Sequence, residues 1–508
     1  MSHLILAPLL VPLAAGALLL LAERASLYTR RVVSLGALVI LLGVSFELLE
    51  VAGKGEIQVY LVGDWPAPFG IVLVLDRLAA LLVTLTTVLG FASITHAIQG
   101  TDRGGPLFHA LFQFQLLGLN GVFLTGDLFN LFVFFEILLI SSYGLLLHGG
   151  GRQRTRAGLH YVVLNLLGSS LFLFAIAILY SVAGTLNMAD LGQVLATLDP
   201  ADAALARTGA LLLLVVFALK AAVLPLHFWL PHAYGTATAP IAALFAIMTK
   251  VGVYAIVRVF GLFGHGDGPL ADVAGPWIAG AALATMAAGT FGAMASRDLR
   301  QKVAYLVMIS VGTLLIAVSL DSTAGLTGAV FYLIHTTLVT GALFLLTDLI
   351  AHGRPRGATI TSDDERPAGS GPLAVLFFIA SIAVIGMPPL SGLVGKLLIL
   401  DAARSSPWAP WIWATVLLSG FMILVSLTRA GSDLFWRGGV SAERTAPAPH
   451  RLIPVGILLA ASPLLVVFGG PLSELAQATA EQLSDTSGYI EAVLGQAPAS
   501  ARIPREVP

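Results

Sequence analysis

The chain has 508 residues, of which 57% are hydrophobic and only 11% are charged, so it carries less than half the charge of a typical soluble domain. Its net charge of −1 excludes a protein that binds polyanions through overall charge, and the absence of cysteine excludes disulfides and thiolate metal sites. This composition predicts an all-α polytopic membrane protein.

Apolar segments long enough to cross a membrane recur along the whole chain. About 20 apolar helical residues are needed to cover roughly 30 Å of hydrocarbon. The first segment contains Pro8 and Pro12 and its basic residues follow it, so it is not a signal peptide. We therefore predict fourteen transmembrane helices: 4–21, 31–50, 71–97, 107–124, 127–147, 159–183, 209–230, 238–260, 277–295, 303–320, 324–350, 372–400, 408–428 and 452–469.

The basic residues in the loops predict the orientation. Loops after odd-numbered spans hold seventeen Lys and Arg residues, whereas loops after even-numbered spans hold only Lys54, Arg207 and Arg404. The positive-inside rule places the odd-numbered loops in the cytoplasm. We therefore expect a multi-pass protein of the bacterial inner membrane with both termini on the outer side.

Two predicted spans contain helix-breaking prolines. Pro225 in span seven frees the carbonyl of Ala221, and the pair Pro388 and Pro389 in span twelve frees those of Val384 and Ile385. Paired interrupted spans are typical of transporters built from repeats. The two breaks lie five spans apart, and an odd offset turns the second unit upside down.

These breaks predict two inverted five-helix repeats, spans 4–8 in residues 107–260 and spans 9–13 in residues 277–431. A three-helix segment, 1–106, precedes them, and a last span with a polar tail, 452–508, follows. Each repeat is expected to contain one proton half-channel. Within the tail, residues 473–495 have the pattern of one amphipathic surface helix.

Ionisable side chains inside predicted spans are the candidate functional residues. A charge near the bilayer centre costs at least ~2.5–3.5 kcal/mol, and one carboxylate cannot compensate three lysines. We interpret the set as proton-transfer groups in a midplane row, although His335 can also be a neutral imidazole bonded to a neighbouring helix. The set is Glu136, Lys220, Lys250, His335 and Lys396.

Helical spacing adds secondary candidates. Tyr143 follows Glu136 by seven residues, and His227 follows Lys220 by seven, so each lies near its partner's helix face. Tyr254 follows Lys250 by four. These three are relay candidates, and anchoring at the membrane interface is an equally good interpretation.

Other polar residues in and beside the spans have simpler interpretations. Arg77 and Arg258 lie near span ends, where snorkelling to the surface accounts for them. Asp127 fits a helix N-cap. Side-chain oxygens suited to Na⁺ are equally explained by hydrogen bonds between helices; they belong to Asn120, Asn130, Asn165, Ser141 and Ser142. No metal ligands are assigned.

Four segments resemble the antiporter-like subunits shared by Mrp-type multisubunit Na⁺/H⁺ antiporters and respiratory complex I: TGDLFNLFVFFEILLISSYGLL, LKAAVLPLHFWLP, APIAALFAIMTKVGVYAIVRVF and GMPPLSGLVGKLLIL. The resemblance implies that Glu136 pairs with Lys220, that Lys250 follows, and that His335 leads to Lys396. It implies proton translocation coupled to Na⁺ or another cation, within a complex of hydrophobic subunits in the lipid membrane.

Within that family, the DLFNLFVFFE segment, the span count and the length resemble the D-type subunits of the Mrp antiporters. His232 departs from the complex I relatives, where an acidic residue is common. The alternative is a redox-driven pump subunit of complex I or of a membrane-bound hydrogenase. No cofactor and no nucleic-acid partner is expected, and no HExxH, GxSxG or phosphate-loop motif indicates an intramembrane enzyme.

Overall fold

The computed structural model describes residues 2–22, 24–264, 266, 268–361, 365–437, 439 and 446–495. Arg444, one of the loop residues used for the orientation, and residues 496–508 of the predicted tail lie outside them. The described helices are α1 Ala7–Leu21, α2 Leu27–Gly53, α3 Arg77–Ala97, α4 Phe108–Leu124, α5 Leu128–Leu147, α6 Arg152–Ala183, α7 Met188–Ala196, α8 Ala203–Ala221, α9 Trp229–Thr236, α10 Ala239–Phe245, α11 Met248–Ala255, α12 Gly261–Phe263, α13 Gly275–Ala295, α14 Leu299–Val318, α15 Thr323–His352, α16 Ser370–Ile385, α17 Ser391–Ala402, α18 Ala409–Phe435, α19 Ile453–Val467, α20 Gly469–Ser484 and α21 Thr486–Leu494.

The protein is a helical polytopic membrane protein. Twelve helical segments among the described residues are long and apolar enough to cross a bilayer. Two shorter apolar helices, α4 and α16, lie where the fourth and twelfth spans are predicted. A small antiparallel hairpin, β1 Gln58–Leu61 with β2 Val72–Leu75, connects α2 to α3.

The centre of the bundle is formed by α15 and by the segment from α10 to α12. The apolar stretch of α15 is buried along its full length, and that of Ala239–Phe263 is 94% buried. By contrast, α6 and α18 leave large apolar side chains such as Phe174 and Phe421 exposed on the outside. Groups on α11 and α15 are therefore shielded from lipid by other helices.

The predicted interruptions are present in both spans. Helix α8 ends at Ala221, and its C-cap Ala222 takes a left-handed conformation with φ 58°. Helix α16 ends at Ile385, where Gly386 has φ 83°. The chain resumes as α9 and α17 after seven and five residues, respectively. A third irregularity, which the sequence analysis missed, is a π-helical turn at Ile256–Phe260.

The helices α5 and α14 begin in the same way. Asp127 and Asp298 are their N-caps, and each side chain accepts a backbone hydrogen bond from the first turn, which confirms the prediction for Asp127. Each cap also forms an isolated antiparallel bridge to a residue beyond the next long helix, Asn187 for Asp127 and Thr359 for Asp298. The local structure is thus repeated after five predicted spans.

A buried carboxylate connects helices α2 and α4 near the N-terminus. Asp102, in the turn before α4, accepts two hydrogen bonds from Arg31 at 2.6 and 2.8 Å, and His109 lies 3.3 Å away. Burial opposes ionisation, but the hydrogen bonds from His109 and Arg31 outweigh it and lower the pKa of Asp102 to about 2.

Two sequence interpretations are wrong. Arg258 does not snorkel, because it is only 6% exposed and forms an ion pair with the buried Asp76. Residues 473–495 do not form one surface helix, because α20 and α21 meet at Asp485 and both bury residues against the bundle. The Tyr489 ring, for example, lies 5.0 Å from the Arg258 guanidinium.

Candidate functional site

The first candidate pair is Glu136 on α5 and Lys220 at the end of α8. Lys220 is 5% exposed, and its Nζ donates to Asn165 Oδ1 at 3.2 Å. Glu136 is half-buried, and its Oε1 has no hydrogen-bond partner in the described part of the chain. Among the described residues, Glu136 forms no hydrogen bond or ion pair with Lys220, although the two are near enough for an electrostatic interaction. The hydrogen bond to Lys220 Nζ is therefore made by Asn165, and the pairing of Glu136 with Lys220 stays a prediction.

Helix termination explains the position of Lys220. The prediction placed it near the centre of a span, but α8 stops one residue later. Beyond it the chain is not helical, and Trp229 Nε1 donates to the Leu219 carbonyl at 3.0 Å. The ammonium thus lies at the C-terminal end of a half-helix, where the helix dipole favours positive charge.

The polar groups near Glu136 form a small aromatic and hydroxyl cluster. The ring of Tyr143 lies 5.5 Å from that of Tyr161, and the Tyr161 hydroxyl is 3.0 Å from Ser142 Oγ. Glu136 also acts electrostatically on Tyr143. His227 lies in the interrupted segment after α8, and its buried Nδ1 has no hydrogen-bond partner among the described residues.

Lys250 on α11 is fully buried. Its Nζ donates to Ser310 Oγ on α14 at 3.1 Å, and Ser310 in turn donates to the Val307 carbonyl at 2.7 Å. Tyr254, one turn away, donates instead to the Phe123 carbonyl at 2.9 Å. The described surroundings of Lys250 therefore supply neutral oxygen atoms and no carboxylate.

His335 on α15 lies in a chain of serine hydroxyls. Its Nδ1 is 2.7 Å from Ser391 Oγ, and Ser391 Oγ is 2.9 Å from Ser462 Oγ. The approach is close because residue 392 is glycine: a Cβ there would lie 2.8 Å from His335 Nε2 and would overlap the Ala383 oxygen.

Lys396 binds the carbonyls that the prolines free. Its Nζ donates to the Ile385 carbonyl at 2.6 Å and lies 3.5 Å from that of Val384. Because Pro388 and Pro389 have no N–H, neither oxygen has a helical partner. The broken end of α16 is therefore held by Lys396.

The five candidate side chains lie on separate helices and are not joined directly to one another. In the described ranges, no hydrogen bond links any two of them; each is instead bonded to a hydroxyl, an amide or a backbone carbonyl, apart from Glu136. A proton passing along such a row needs intervening hydroxyls or water.

A sequence model described as "NADH:quinone oxidoreductase/Mrp antiporter, TM" matches residues 125–423, a range that includes all five candidates. The chain belongs to this family. It is 40% identical to the D-type subunit of a probable K⁺/H⁺ antiporter of Rhizobium meliloti (strain 1021), with 97% of this chain and 98% of that protein covered. It is 36% identical to the D-type subunit of the Na⁺/H⁺ antiporter of Bacillus subtilis (strain 168), with 97% and 100% covered.

The fold is also similar to a solved member of the family. In the structure of the Mrp complex from Dietzia sp. DQ12-45-1b, one chain matches with a TM-score of 0.87 and 27% identity, covering 97% of this chain and 99% of that one. The shared fold thus extends over nearly the whole chain, well beyond the segment matched by the family model.

One buried lysine in the family segment was missed by the sequence analysis. Lys302 was counted as a loop residue, but it lies in the first turn of α14 and is 3% exposed. Its Nζ donates to the Ala293 carbonyl at 2.5 Å and to Ser426 Oγ at 2.7 Å. In the sequence, only its position four residues after Asp298, a residue type that caps helices, indicated that Lys302 belongs to the first turn of a helix.

Four of the five residues considered for Na⁺ hydrogen-bond to other protein groups. Asn120 Nδ2 donates to the Pro8 carbonyl at 3.0 Å, and Asn130 Nδ2 donates to Thr125 Oγ1 at 3.0 Å. Asn165 and Ser142 are used by Lys220 and Tyr161. Across the described residues, no cluster of three or more His, Asp or Glu side chains is suited to a metal ion. Hydrogen bonds within the protein thus account for the oxygens of Asn165 and Ser142, whereas Asn120 Oδ1 is buried without a hydrogen-bond partner among the described residues.

Proposed function

We propose that this protein is the proton-translocating subunit of a multisubunit cation/proton antiporter. The proposal is carried by the buried lysines Lys220, Lys250 and Lys396, whose hydrogen-bond partners among the described residues are neutral oxygens. Without a carboxylate partner, the charged form of a buried lysine is less strongly favoured over the neutral amine than it is in a salt bridge. The antiporter names of the two curated relatives support a transporter rather than an enzyme.

Proton movement in the first repeat depends on Glu136. In a low-dielectric interior, a carboxylate that moves towards an ammonium stabilises it by several kcal/mol. With Glu136 near Lys220, the lysine retains its proton; with Glu136 turned away, Asn165 alone holds the ammonium and the proton passes on. Lys250, His335 and Lys396 then follow as the next stations, with Tyr143, His227 and Tyr254 as secondary relays.

The proposed architecture has fourteen spans, with α4 and the broken pair α16 and α17 crossing the membrane besides the twelve long segments. Spans 4–8 and 9–13, residues 107–260 and 277–431, form inverted repeats with one half-channel each. The matching caps Asp127 and Asp298 and their matching bridges support the repeat. Residues 1–106 and 452–508 flank it.

The proposed setting is the bacterial inner membrane, with both termini on the outer side. The exposed apolar faces of α6 and α18 contact lipid or neighbouring hydrophobic subunits. The exchanged cation is Na⁺ or K⁺, since the two curated relatives are named for different ones. A transmembrane potential contributes about 2.3 kcal/mol per charge per 100 mV, which is enough to shift the protonation of the row.

The proposal is tested in everted membrane vesicles from cells that express the chain with the other subunits of its complex and lack other antiporters. The wild type should dissipate a preformed pH gradient when Na⁺ or K⁺ is added. Glu136→Gln and Lys220→Met should reduce this response to below about a tenth without reducing assembly. Asp401→Asn, a change at a surface carboxylate that is 69% exposed, is the matched control. A wild-type response in both site variants contradicts the proposal.

The second candidate function is redox-driven proton pumping, which the family's inclusion of NADH:quinone oxidoreductase favours. The same row of residues serves either energy source, and the partners distinguish them. Purification in mild detergent followed by mass spectrometry should recover small hydrophobic subunits for an antiporter. Recovery of iron–sulfur and flavin subunits supports the pump instead.

A further inference from the structure

A cavity of about 590 Å³ lies at the end of the bundle where α13, α14 and α18 meet the loop after α15. It is lined by Lys302 and Ser426 together with the charged residues Arg297, Arg356, Arg429 and Asp433. The lining residues lie in or beside the loops that follow predicted spans nine, eleven and thirteen, so this end faces the cytoplasm under the proposed orientation. The wall of the cavity thus includes a lysine that is otherwise enclosed by protein.

Lys302 has no acidic partner among the described residues. Its Nζ is held by the Ala293 carbonyl and by Ser426 Oγ, and Ser426 Oγ also lies 3.2 Å from the same carbonyl. The charged groups that face it across the cavity are three arginines and one aspartate. These positive charges repel Na⁺ and K⁺, so the cavity favours proton transfer over metal-ion passage.

Hydroxyl groups continue from Lys302 along the interface of α13 and α18. Ser419 lies two turns from Ser426 on α18, about 10 Å away at 1.5 Å per residue. Its Oγ is 2.7 Å from Thr290 Oγ1 on α13. The next residue, Gly420, lies beside the Ile385 carbonyl, with 3.9 Å from the position of a Cβ to that oxygen.

The Ile385 carbonyl is the oxygen that accepts the hydrogen bond from Lys396. The described polar groups therefore run from the cavity to Lys302, then to Ser426, the Thr290–Ser419 pair and the broken end of α16. Water molecules between Ser426 and Ser419, and between the Thr290–Ser419 pair and Lys396, would complete the connection, because the Ile385 carbonyl has no proton to release. In the first repeat, the position equivalent to Lys302 by its distance from the N-cap is the buried Leu131, so this feature belongs to the second repeat alone.

We propose that Lys302 exchanges protons between the cytoplasm and the second repeat, and that Ser426 and the Thr290–Ser419 pair connect it to Lys396; this rests on the proposed function. The Lys302 ammonium gives one proton to a neighbouring oxygen and becomes a neutral amine. Each hydroxyl accepts a proton on one lone pair and releases its own to the next group. A hydronium ion in the cavity water then protonates the amine and leaves a water molecule.

A purely structural role is the competing explanation, because a lysine near the last turn of α13 can stabilise its carbonyl end. Arginine separates the two roles: it keeps the charge and the hydrogen-bond donors but does not release a proton at working pH. Lys302→Arg should reduce the cation-driven pH response at least tenfold if the proton role is correct. Transport like the wild type in Lys302→Arg overturns it.

A second variant covers the case in which arginine does not fit. The chain has no cysteine, so Lys302→Cys introduces a single thiol. In everted vesicles the charged, membrane-impermeant trimethylammonium-ethyl methanethiosulfonate should label it, whereas Leu131→Cys, the equivalent buried site in the other repeat, should remain unlabelled. Absence of labelling at residue 302, detected by mass spectrometry of this chain, overturns access from the cytoplasm.

Chemical rescue tests the proton itself. Aminoethyl methanethiosulfonate attaches a primary amine to Lys302→Cys and should restore a measurable part of the pH response, but the trimethylammonium reagent should not. Equal restoration by both reagents shows that charge alone suffices and overturns the proton role. If the wild type shows no response to Na⁺ or K⁺, the proposed function fails as well; a wild-type response retained in Lys302→Arg overturns only the inference about Lys302.

Discussion

Gly392→Ala tests how closely the broken span is packed around His335. The new Cβ would overlap the Ala383 carbonyl oxygen and lie 2.8 Å from His335 Nε2, whereas an ordinary contact begins near 3.4 Å. Helix α17 must therefore move away from α16 by about 1 Å or more. Overpacking of this kind costs about 1–3 kcal/mol.

This movement of α17 also lengthens or breaks the hydrogen bond between His335 and Ser391. Leaving such a buried pair unsatisfied costs about 1–3 kcal/mol, and the higher helix propensity of alanine returns about 1 kcal/mol. The net loss in the free energy of unfolding is therefore about 1–5 kcal/mol. Transport should fall with it, since His335 is one of the proposed stations.

The assay is thermal unfolding of the purified complex in detergent, followed by intrinsic fluorescence, together with the vesicle pH response. Gly371→Ala is the matched control, because Gly371 lies in α16 of the same broken span and a Cβ there meets nothing within 4 Å. Gly392→Ala should melt several degrees below Gly371→Ala. Equal melting temperatures and equal transport in the two variants would refute the packing argument.

Three further predictions follow from buried polar contacts. Asp76→Asn or Arg258→Met should each destabilise the protein by about 3–5 kcal/mol, because the remaining charge is buried without its partner. The double variant should lose less free energy of unfolding than the sum of the two single losses. Additive losses in thermal unfolding would contradict the ion pair. Ser310→Ala should lower the vesicle pH response severalfold without changing assembly, since Lys250 loses its hydroxyl partner; an unchanged response would argue against this contact. Because the pKa of Asp102 is lowered to about 2, its ionised carboxylate stabilises the fold above pH 4, and this stabilisation is lost as the pH falls towards 2. Asp102→Asn should therefore destabilise the protein at neutral pH by about 1–2 kcal/mol, allowing for screening, and should flatten the dependence of the melting temperature on acid pH.

Features set by local sequence were predictable. Pro388 and Pro389 identified the carbonyls of Val384 and Ile385 as unpaired, and these are the oxygens beside Lys396 Nζ. The cap at Asp127 followed from its place before an apolar run. Both effects act within one or two helical turns, so residue type and spacing are sufficient to find them.

Features that depend on distant partners were not predictable. Arg258 looked like a snorkelling residue until its ion pair with Asp76, 182 positions away, was known. Lys302 looked like a loop charge because its partner Ser426 lies on another helix, 124 positions along the chain. Asn165 likewise gave no signal of its bond to Lys220, since asparagine between membrane helices has many uses.

The broken end of α16 gives Lys396 a counter-charge that cannot titrate. Backbone carbonyls carry partial negative charge at every pH, whereas the carboxylate of Glu136 can be neutralised. Under the proposed function, the proton affinity of Lys396 therefore depends on how α16 and α17 are placed relative to each other, whereas that of Lys220 depends also on whether Glu136 is ionised. In the proposed row, a movement of the broken helix therefore controls one lysine, and the ionisation of a carboxylate contributes to the control of another.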